Sequence, residues 1–336
     1  MAGERLIHNA LSGVTVGVWR EAGAIRKRLT RRADAPAHWA ASEDPHHWNY
    51  WRREALVYET GLPARLGLAA PGLLGLHETE GGDVELRLED VAGRHGAALT
   101  IADLAAAAHA LGRAQGQAAQ PAEPWLSRGF LRAYSGSRSV RWELLDDDAA
   151  WAQPLVRAHF PPALRAGLVA LHARRERLLG LIEALPRTVC HLDVWRNNLI
   201  RRPDGEIVLL DWSFVGDGAL GEDVGNLIPD AVFDAQMAPA ALDELEQRAI
   251  RAYLDGLGEA GWRGDERLVR LAVYASCVKY DWLAVRCLER AGEERHDHVY
   301  SRDVDGNVLY AARAAGLALC ARWAEQAERL AAELGR

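Results

Sequence analysis

The sequence predicts an α+β protein in which a short β-rich beginning precedes a longer, mainly helical remainder. Three observations carry that expectation. Residues 14–19 (VTVGVW) are rich in β-branched and aromatic side chains, and residues 24–30 (AIRKRLT) alternate in part, as half-buried strands do. From residue 100 onward, apolar residues recur at helical spacing in several stretches. One pair of strand-like runs, 198–201 and 206–210, interrupts that helical part.

Each element has a local reason. Glu21, Ala22 and Gly23 separate the first two strands and fit a hairpin turn. Residues 31–45, with Pro36 and Pro45, read as a loop. A helix is expected over 46–60, stopped by Gly61 with Pro63 beyond it. A further strand is expected over 84–88, followed by a linker at 89–93. Thr100 with Asp103 has the form of a capping box, opening a helix whose Ile101, Leu104, Ala108 and Leu111 share one face. Leu168, Leu171, Leu178 and Ile182 mark a second helix, and Leu242, Leu245, Ala249 and Tyr253 another. Leu268, Leu271, Ala275, Val278, Trp282 and Val285 form one long apolar stripe, and the segment 309–330 is amphipathic. Inside the interruption, Pro203-Asp204-Gly205 is a turn, since proline fixes φ and glycine accepts positive φ.

A chain of 336 residues has room for two lobes, which the change in character places at 1–91 and 92–336. Apolar residues make up 49% and charged residues 26%, an ordinary globular composition. A formal net charge of -7 argues against nucleic acid as a partner. The absence of a run of about twenty apolar residues argues against a membrane span. The opening MAGERLIHNALSG does not have the pattern of a signal peptide, so a cytoplasmic chain is expected. Cys190, Cys277, Cys287 and Cys320 form no CxxC pair and are expected as buried free thiols.

The polar residues around the 198–210 hairpin carry the chemistry. Just before it stands Cys190-His191-Leu192-Asp193-Val194-Trp195-Arg196-Asn197-Asn198, and just after it Leu209-Leu210-Asp211-Trp212. The hairpin should bring Asn198 and Asp211 side by side, an amide oxygen and a carboxylate suited to magnesium held jointly with phosphates. Asp193 lies on a loop facing the same point, where a carboxylate can orient a hydroxyl. These are the parts that phosphoryl transfer needs.

This segment resembles the catalytic loop of the aminoglycoside phosphotransferase and choline kinase family, relatives of the protein kinases. The shared pattern is H-x-D (His191-Leu192-Asp193), an Asn five residues later (Asn198), then Asp211-Trp212 after a strand. Gly216-Asp217-Gly218 through Gly221-Glu222-Asp223 resembles the segment that follows the family's metal aspartate. The resemblance implies a two-lobed, protein-kinase-like fold, with ATP and Mg2+ as cofactors and a small-molecule hydroxyl as acceptor. It further implies that Asp193 orients and deprotonates that hydroxyl, that His191 supports the loop, and that Asn198 and Asp211 hold magnesium. Asp223 would brace the loop. Ser213 departs from the pattern, since many relatives carry a glutamate there.

Elsewhere the resemblance is looser. Lys27 matches the lysine that contacts ATP phosphates, and Glu54, mid-helix, is its natural partner; either is also readable as an ordinary surface charge. Gly13 and Gly17 fall in a loop and strand that would cover the nucleotide, without a Walker motif. Glu89 to Val91 resembles the interlobe hinge. Among twelve tryptophans, the cluster His46-His47-Trp48-Asn49-Tyr50-Trp51 reads first as helix-on-sheet packing and second as a substrate wall. Trp195 and Asp281 are acceptor candidates, Asp281 being expected in solvent. His296-Asp297-His298 reads as a polar loop rather than a metal site. Two other classes compete: an inert nucleotide-binding relative and a protein kinase. The first has no need of Lys27, Asp193, Asn198 and Asp211 together. The second needs more room after Asp211 than residues 216–229 leave. Nucleotidyl transfer on the same fold is separable by product mass. The acceptor itself, whether aminoglycoside-, amino alcohol- or sugar-like, is not legible.

Overall fold

A computed structural model of the chain describes residues 3–9, 11–31, 34–117, 119–293 and 304–336; His296, Asp297 and His298 lie outside the described residues. The first part builds an antiparallel sheet of β1 (Glu4–Arg5), β2 (Thr15–Glu21), β3 (Ala24–Leu29), β4 (Leu73–Glu78) and β5 (Val84–Glu89), in the order β1-β2-β3-β5-β4. Gly23, at φ 72°, supplies the left-handed residue that the β2–β3 turn requires. The register places Lys27 opposite Val18 and Leu86. Its side chain is buried, while Arg26 reaches Glu21 and Arg28 reaches Asp83. Strand alternation thus sends the middle cation to a different face from its neighbours.

Two short helices, α1 (Arg53–Glu59) and α2 (Leu62–Arg65), lie between β3 and β4. The helix expected over 46–60 begins only at Arg53. The buried Arg53 guanidinium takes hydrogen bonds to the carbonyls of Pro45, His47 and Trp48, which a helix through those residues would need for itself. Glu54 therefore sits in the first turn and not mid-helix. The aromatic cluster is likewise not helix-on-sheet packing throughout. Trp48 packs on Tyr134 and Phe214, far along the chain, while Trp51 joins the main core.

After β6 (Arg94–His95) the chain is mainly helical. α3 (Ile101–Gln115) opens with the Thr100/Asp103 capping box, present in both directions. There follow α4 (Phe130–Gly136), α5 (Asp148–Ala152), α6 (Pro154–His159), α7 (Pro162–Ala173) and α8 (Arg175–Glu183). The single helix expected through 168–182 is two, broken at Arg174, because apolar spacing runs on unchanged across a one-residue break. Then come β7 (Arg187–Cys190), β8 (Leu199–Arg201), β9 (Ile207–Leu209), β10 (Gly216–Ala219), α9 (Glu222–Phe233), α10 (Leu242–Glu259), α11 (Glu266–Ala275), α12 (Asp281–Arg290) and α13 (Gly306–Glu333).

The stripe at 268–285 is also divided. Residues Ser276–Tyr280 wind as a 3-10 helix, whose tighter turn brings Lys279 to the inside with Val278 and Tyr280. α3 and α10 approach backbone to backbone. A Cβ on Gly112 would stand 2.2 Å from the Tyr253 carbonyl oxygen, and one on Gly256 2.3 Å from that of His109. The four cysteines are free and buried. Among the described residues, no helix is long and apolar enough to cross a membrane.

Candidate active site

The hairpin forms as expected, with Leu199 opposite Leu209, and the Leu210 N–H donates to the Asn198 carbonyl at 2.9 Å. Asp211 therefore emerges one residue beyond Asn198's hydrogen-bonded neighbour. A second small sheet was not anticipated: β7 pairs with β10, Cys190 facing Gly216. It delivers the 191–198 loop from one side as the hairpin delivers it from the other.

The loop between these sheets is held from below. Leu192 adopts φ 68°, a left-handed conformation costing on the order of 1–2 kcal/mol for a residue with a Cβ. The fully buried Asp223 accepts the N–H groups of His191 (2.9 Å) and Leu192 (2.7 Å) across that strained turn. Gln115 donates to Asp223 at 2.7 Å, and Tyr253 donates to Gln115 while accepting the Gly221 N–H. Neither Gln115 nor Tyr253 was expected at the site. Their only sequence signal is a polar group at the end of one apolar helix stripe and inside another.

His191 is fixed by its partners. Its Nε2 donates to the Leu210 carbonyl at 2.9 Å, and its Nδ1 accepts from the Asp193 N–H at 3.3 Å. That pair requires the neutral Nε2–H tautomer. Burial agrees, pushing the imidazole below its usual range. Asp193 accepts from Asn198 Nδ2 through its carboxylate (2.8 Å) and its carbonyl (2.9 Å). Burial pushes the Asp193 carboxyl up to about 7; Asp211 and Asp230 add to that, while Lys279 opposes it.

On the facing side, Lys27 Nζ lies 2.6 Å from Glu54 and 3.0 Å from Asp211. Burial works against its charge, yet the two carboxylates outweigh it and hold the ammonium well above its ordinary value. Burial would raise Asp211, but Lys27 and the Ser213 hydroxyl hold it below the usual carboxylate range. Ser213 donates to Asp211 and lies 3.3 Å from Glu54, so it joins the same cluster. Asp211 itself adopts φ 54°.

Asn198 spends its amide nitrogen on Asp193, which leaves Oδ1 as the end a cation can take. With the Asp211 carboxylate this is a hard-oxygen pair of the kind magnesium accepts. Among the described residues, no group of three or more His, Cys, Asp or Glu could hold a metal ion. The pair would need phosphate oxygens and water to complete an octahedral shell, as magnesium sites in nucleotide enzymes do.

Other expected residues fall differently. The Gly13 N–H donates to the Trp39 carbonyl, and a Cβ there would meet that oxygen at 2.5 Å. Gly17 lies at a β-bulge in β2, with the Trp19 ring 2.5 Å from where its Cβ would stand. Both glycines thus have packing reasons. Glu89 ends β5, accepting from the Gly72 N–H and pairing with Arg202, and Val91 packs with Ile200 and Val208. Trp195 is half-buried within the loop. Asp281 is not in solvent: it is buried and paired with Arg175 at 2.6 Å, because the 3-10 stretch before it rotates α12 relative to the expected stripe.

The sequence profile of the phosphotransferase enzyme family matches residues 18–265. The chain belongs to that family, and its fold is the two-lobed kinase-like one. Among solved structures it is similar to a thermostable mutant of the aminoglycoside phosphotransferase APH(4)-Ia, at 17% identity. That match covers 97% of this chain and 94% of that one, with a TM-score of 0.51. A choline/ethanolamine kinase family protein from Mesorhizobium loti is 16% identical over 94% of this chain and 90% of that one, with a TM-score of 0.48. Aminoglycoside phosphotransferase APH(3'')-Id from Streptomyces rimosus is 17% identical over 82% and 92%, with a TM-score of 0.46. No curated protein sequence matches.

Proposed function

We propose that this phosphotransferase uses ATP with magnesium and transfers the γ-phosphoryl group to a hydroxyl of a small molecule. Residues 1–91 would form the nucleotide-binding lobe and 92–336 the catalytic and acceptor-binding lobe. The observation that carries the reading is one cluster drawn from distant parts of the chain. Lys27 meets Glu54 and Asp211, and Asp211 follows the hairpin whose other end, Asn198, is bonded to Asp193.

In this reading Lys27 neutralises phosphate charge, and Glu54 keeps it extended toward the cleft. Asp193 accepts the acceptor's proton. A carboxyl raised to about 7 is basic enough to do so near neutral pH and still ionised in part. Asn198 orients that carboxylate through Nδ2 and offers Oδ1 to magnesium beside Asp211. The ion would supply charge on the migrating phosphoryl group. His191 and Asp223 hold the loop without touching substrate. Glu89 to Val91 would meet adenine through main-chain groups, Gly13 and Gly17 would let the covering strand lie close, and Trp195 would line the acceptor side. The test is a broad acceptor screen following ADP release, with product mass to confirm a phosphoryl addition. Transfer of a nucleotidyl group, or ATP consumption with no acceptor modified, would refute the assignment.

A further inference from the structure

An aromatic cage beside the candidate active site holds a cation that the transfer chemistry does not use. Arg138 lies on the stretch after α4 with its guanidinium 3.9 Å from the Tyr134 ring centroid, 4.8 Å from Trp282 and 4.9 Å from Trp39. The three rings come from α4, α12 and the segment before α1, so the cage joins separate parts of the chain. With rings against the guanidinium, its hydrogen-bonding capacity lies along the edge. There the Nε–H is buried and has no hydrogen-bond partner. Arg138 also has no carboxylate within ion-pair distance among the described residues, whereas Arg175 and Arg286 each have one and Arg132 has two.

A second cation faces the same ring. Lys279 Nζ stands 5.4 Å from the Tyr134 centroid and 5.7 Å from that of Phe130, and its polar partner is the neutral Asn226 amide. Asn226 in turn donates to the Val194 carbonyl, next to Asp193. The nearby carboxylate Asp230 is engaged by Asn226 (2.5 Å) and Tyr280 (2.7 Å). Phe214, three residues past Asp211, packs on Trp39 and Tyr134, which ties the cage to the candidate active site.

We propose that the cage is an acceptor subsite for a carboxylate, seated on the free edge of Arg138 and on the same Tyr134 ring that Lys279 faces. The preferred acceptor is then a small molecule bearing both a hydroxyl and a carboxylate, and a cationic acceptor is disfavoured. This rests on the reading of Asp193 as the residue that meets the hydroxyl. A carboxylate can pair in the plane of the guanidinium through two parallel N–H···O bonds. An organic cation entering the same cage would have to expel Arg138 and sit near Lys279.

Two matched probes separate these cases: para-hydroxymethyl benzoate and para-hydroxymethyl benzylammonium, which differ only in the charged group. Binding to the full chain is followed by calorimetry and tryptophan fluorescence, without nucleotide, so no turnover is needed. The benzoate should bind and the ammonium compound should not. Arg138→Met should weaken benzoate binding by about tenfold to a hundredfold, the scale of a lost charge-assisted contact. Arg138→Lys, which keeps the charge but not the planar edge, should fall between. Melting curves for both variants check that they fold. Benzoate binding that is absent at millimolar concentration, or equal in the parent and Arg138→Met, would overturn the proposal. So would an ammonium probe that binds the parent protein as tightly as the benzoate does. Arg138-dependent benzoate binding with no ADP release from any acceptor would sink the transfer reading and leave the anion subsite standing.

Discussion

Replacing Arg53 by methionine is expected to destabilise the protein by about 4 kcal/mol. The guanidinium is fully buried and donates to five carbonyl oxygens: Pro45 (2.8 Å), His47 (2.6 Å), Trp48 (2.9 Å), Trp125 (3.1 Å) and Ser213 (3.0 Å). It staples the aromatic segment before α1 to the segment after Asp211. Burial without an ion-pair partner pulls it down to about 9. Each abandoned buried acceptor costs on the order of 1 kcal/mol or more, and the relieved burial of a charge offsets part of the total. With about 2.1 cal/mol/K of unfolding entropy per residue, a chain this long loses about 6 °C in Tm. Arg53→Lys keeps the charge but has three donors, so it should lie between the parent and Arg53→Met. Urea unfolding followed by tryptophan fluorescence measures the loss. A destabilisation below about 1 kcal/mol would refute the staple.

The remaining predictions concern the cluster and one buried acid. Lys27→Ala should raise the ATP KM or lower kcat strongly, and Glu54→Ala more mildly; the double variant should be little worse than Lys27→Ala, because the pair acts as one unit. Additive losses in that kinetic cycle would mean the two residues work separately. Asp211→Asn should weaken MgATP binding more than binding of metal-free ATP, and equal MgATP affinities by calorimetry would count against the metal assignment. Burial raises Glu222 from 4.5 to about 7 in the folded protein. Its unfolded form ionises first as pH rises, so stability falls from about pH 4.5 to about 7 and stays lower above that. Glu222→Gln removes this slope, and its stability relative to the parent should therefore improve by about 2 kcal/mol or more between pH 5 and 8. Parallel pH profiles of the urea midpoint would contradict it.

What the sequence revealed depended on how local the determinant was. The hairpin at 199–209 was legible because its turn, its strands and its polar flanks lie within a short stretch. Lys27 and Glu54 were legible as partners through the family resemblance. β7 and β10 were not, since each has four residues and β10 reads Gly-Asp-Gly-Ala, with little strand propensity. β4 went unread for a related reason: Gly75 and an exposed face blur its alternation. The start of α1 was misplaced because Arg52 and Arg53 are alike in sequence, and only tertiary structure makes one a surface group and the other a buried staple. Asp281 was expected in solvent, off the 268–285 stripe, until five residues of tighter winding turned it and Lys279 inward.

The central claim is that Asp193 meets the acceptor hydroxyl and does not serve the nucleotide. Acceptor-dependent ADP release and ATP affinity, measured together for the parent and Asp193→Ala, test it most directly. Turnover should fall by about 10²–10⁴ while the ATP dissociation constant stays near that of the parent. Turnover near that of the parent, or a loss accounted for by weakened ATP binding, would contradict it.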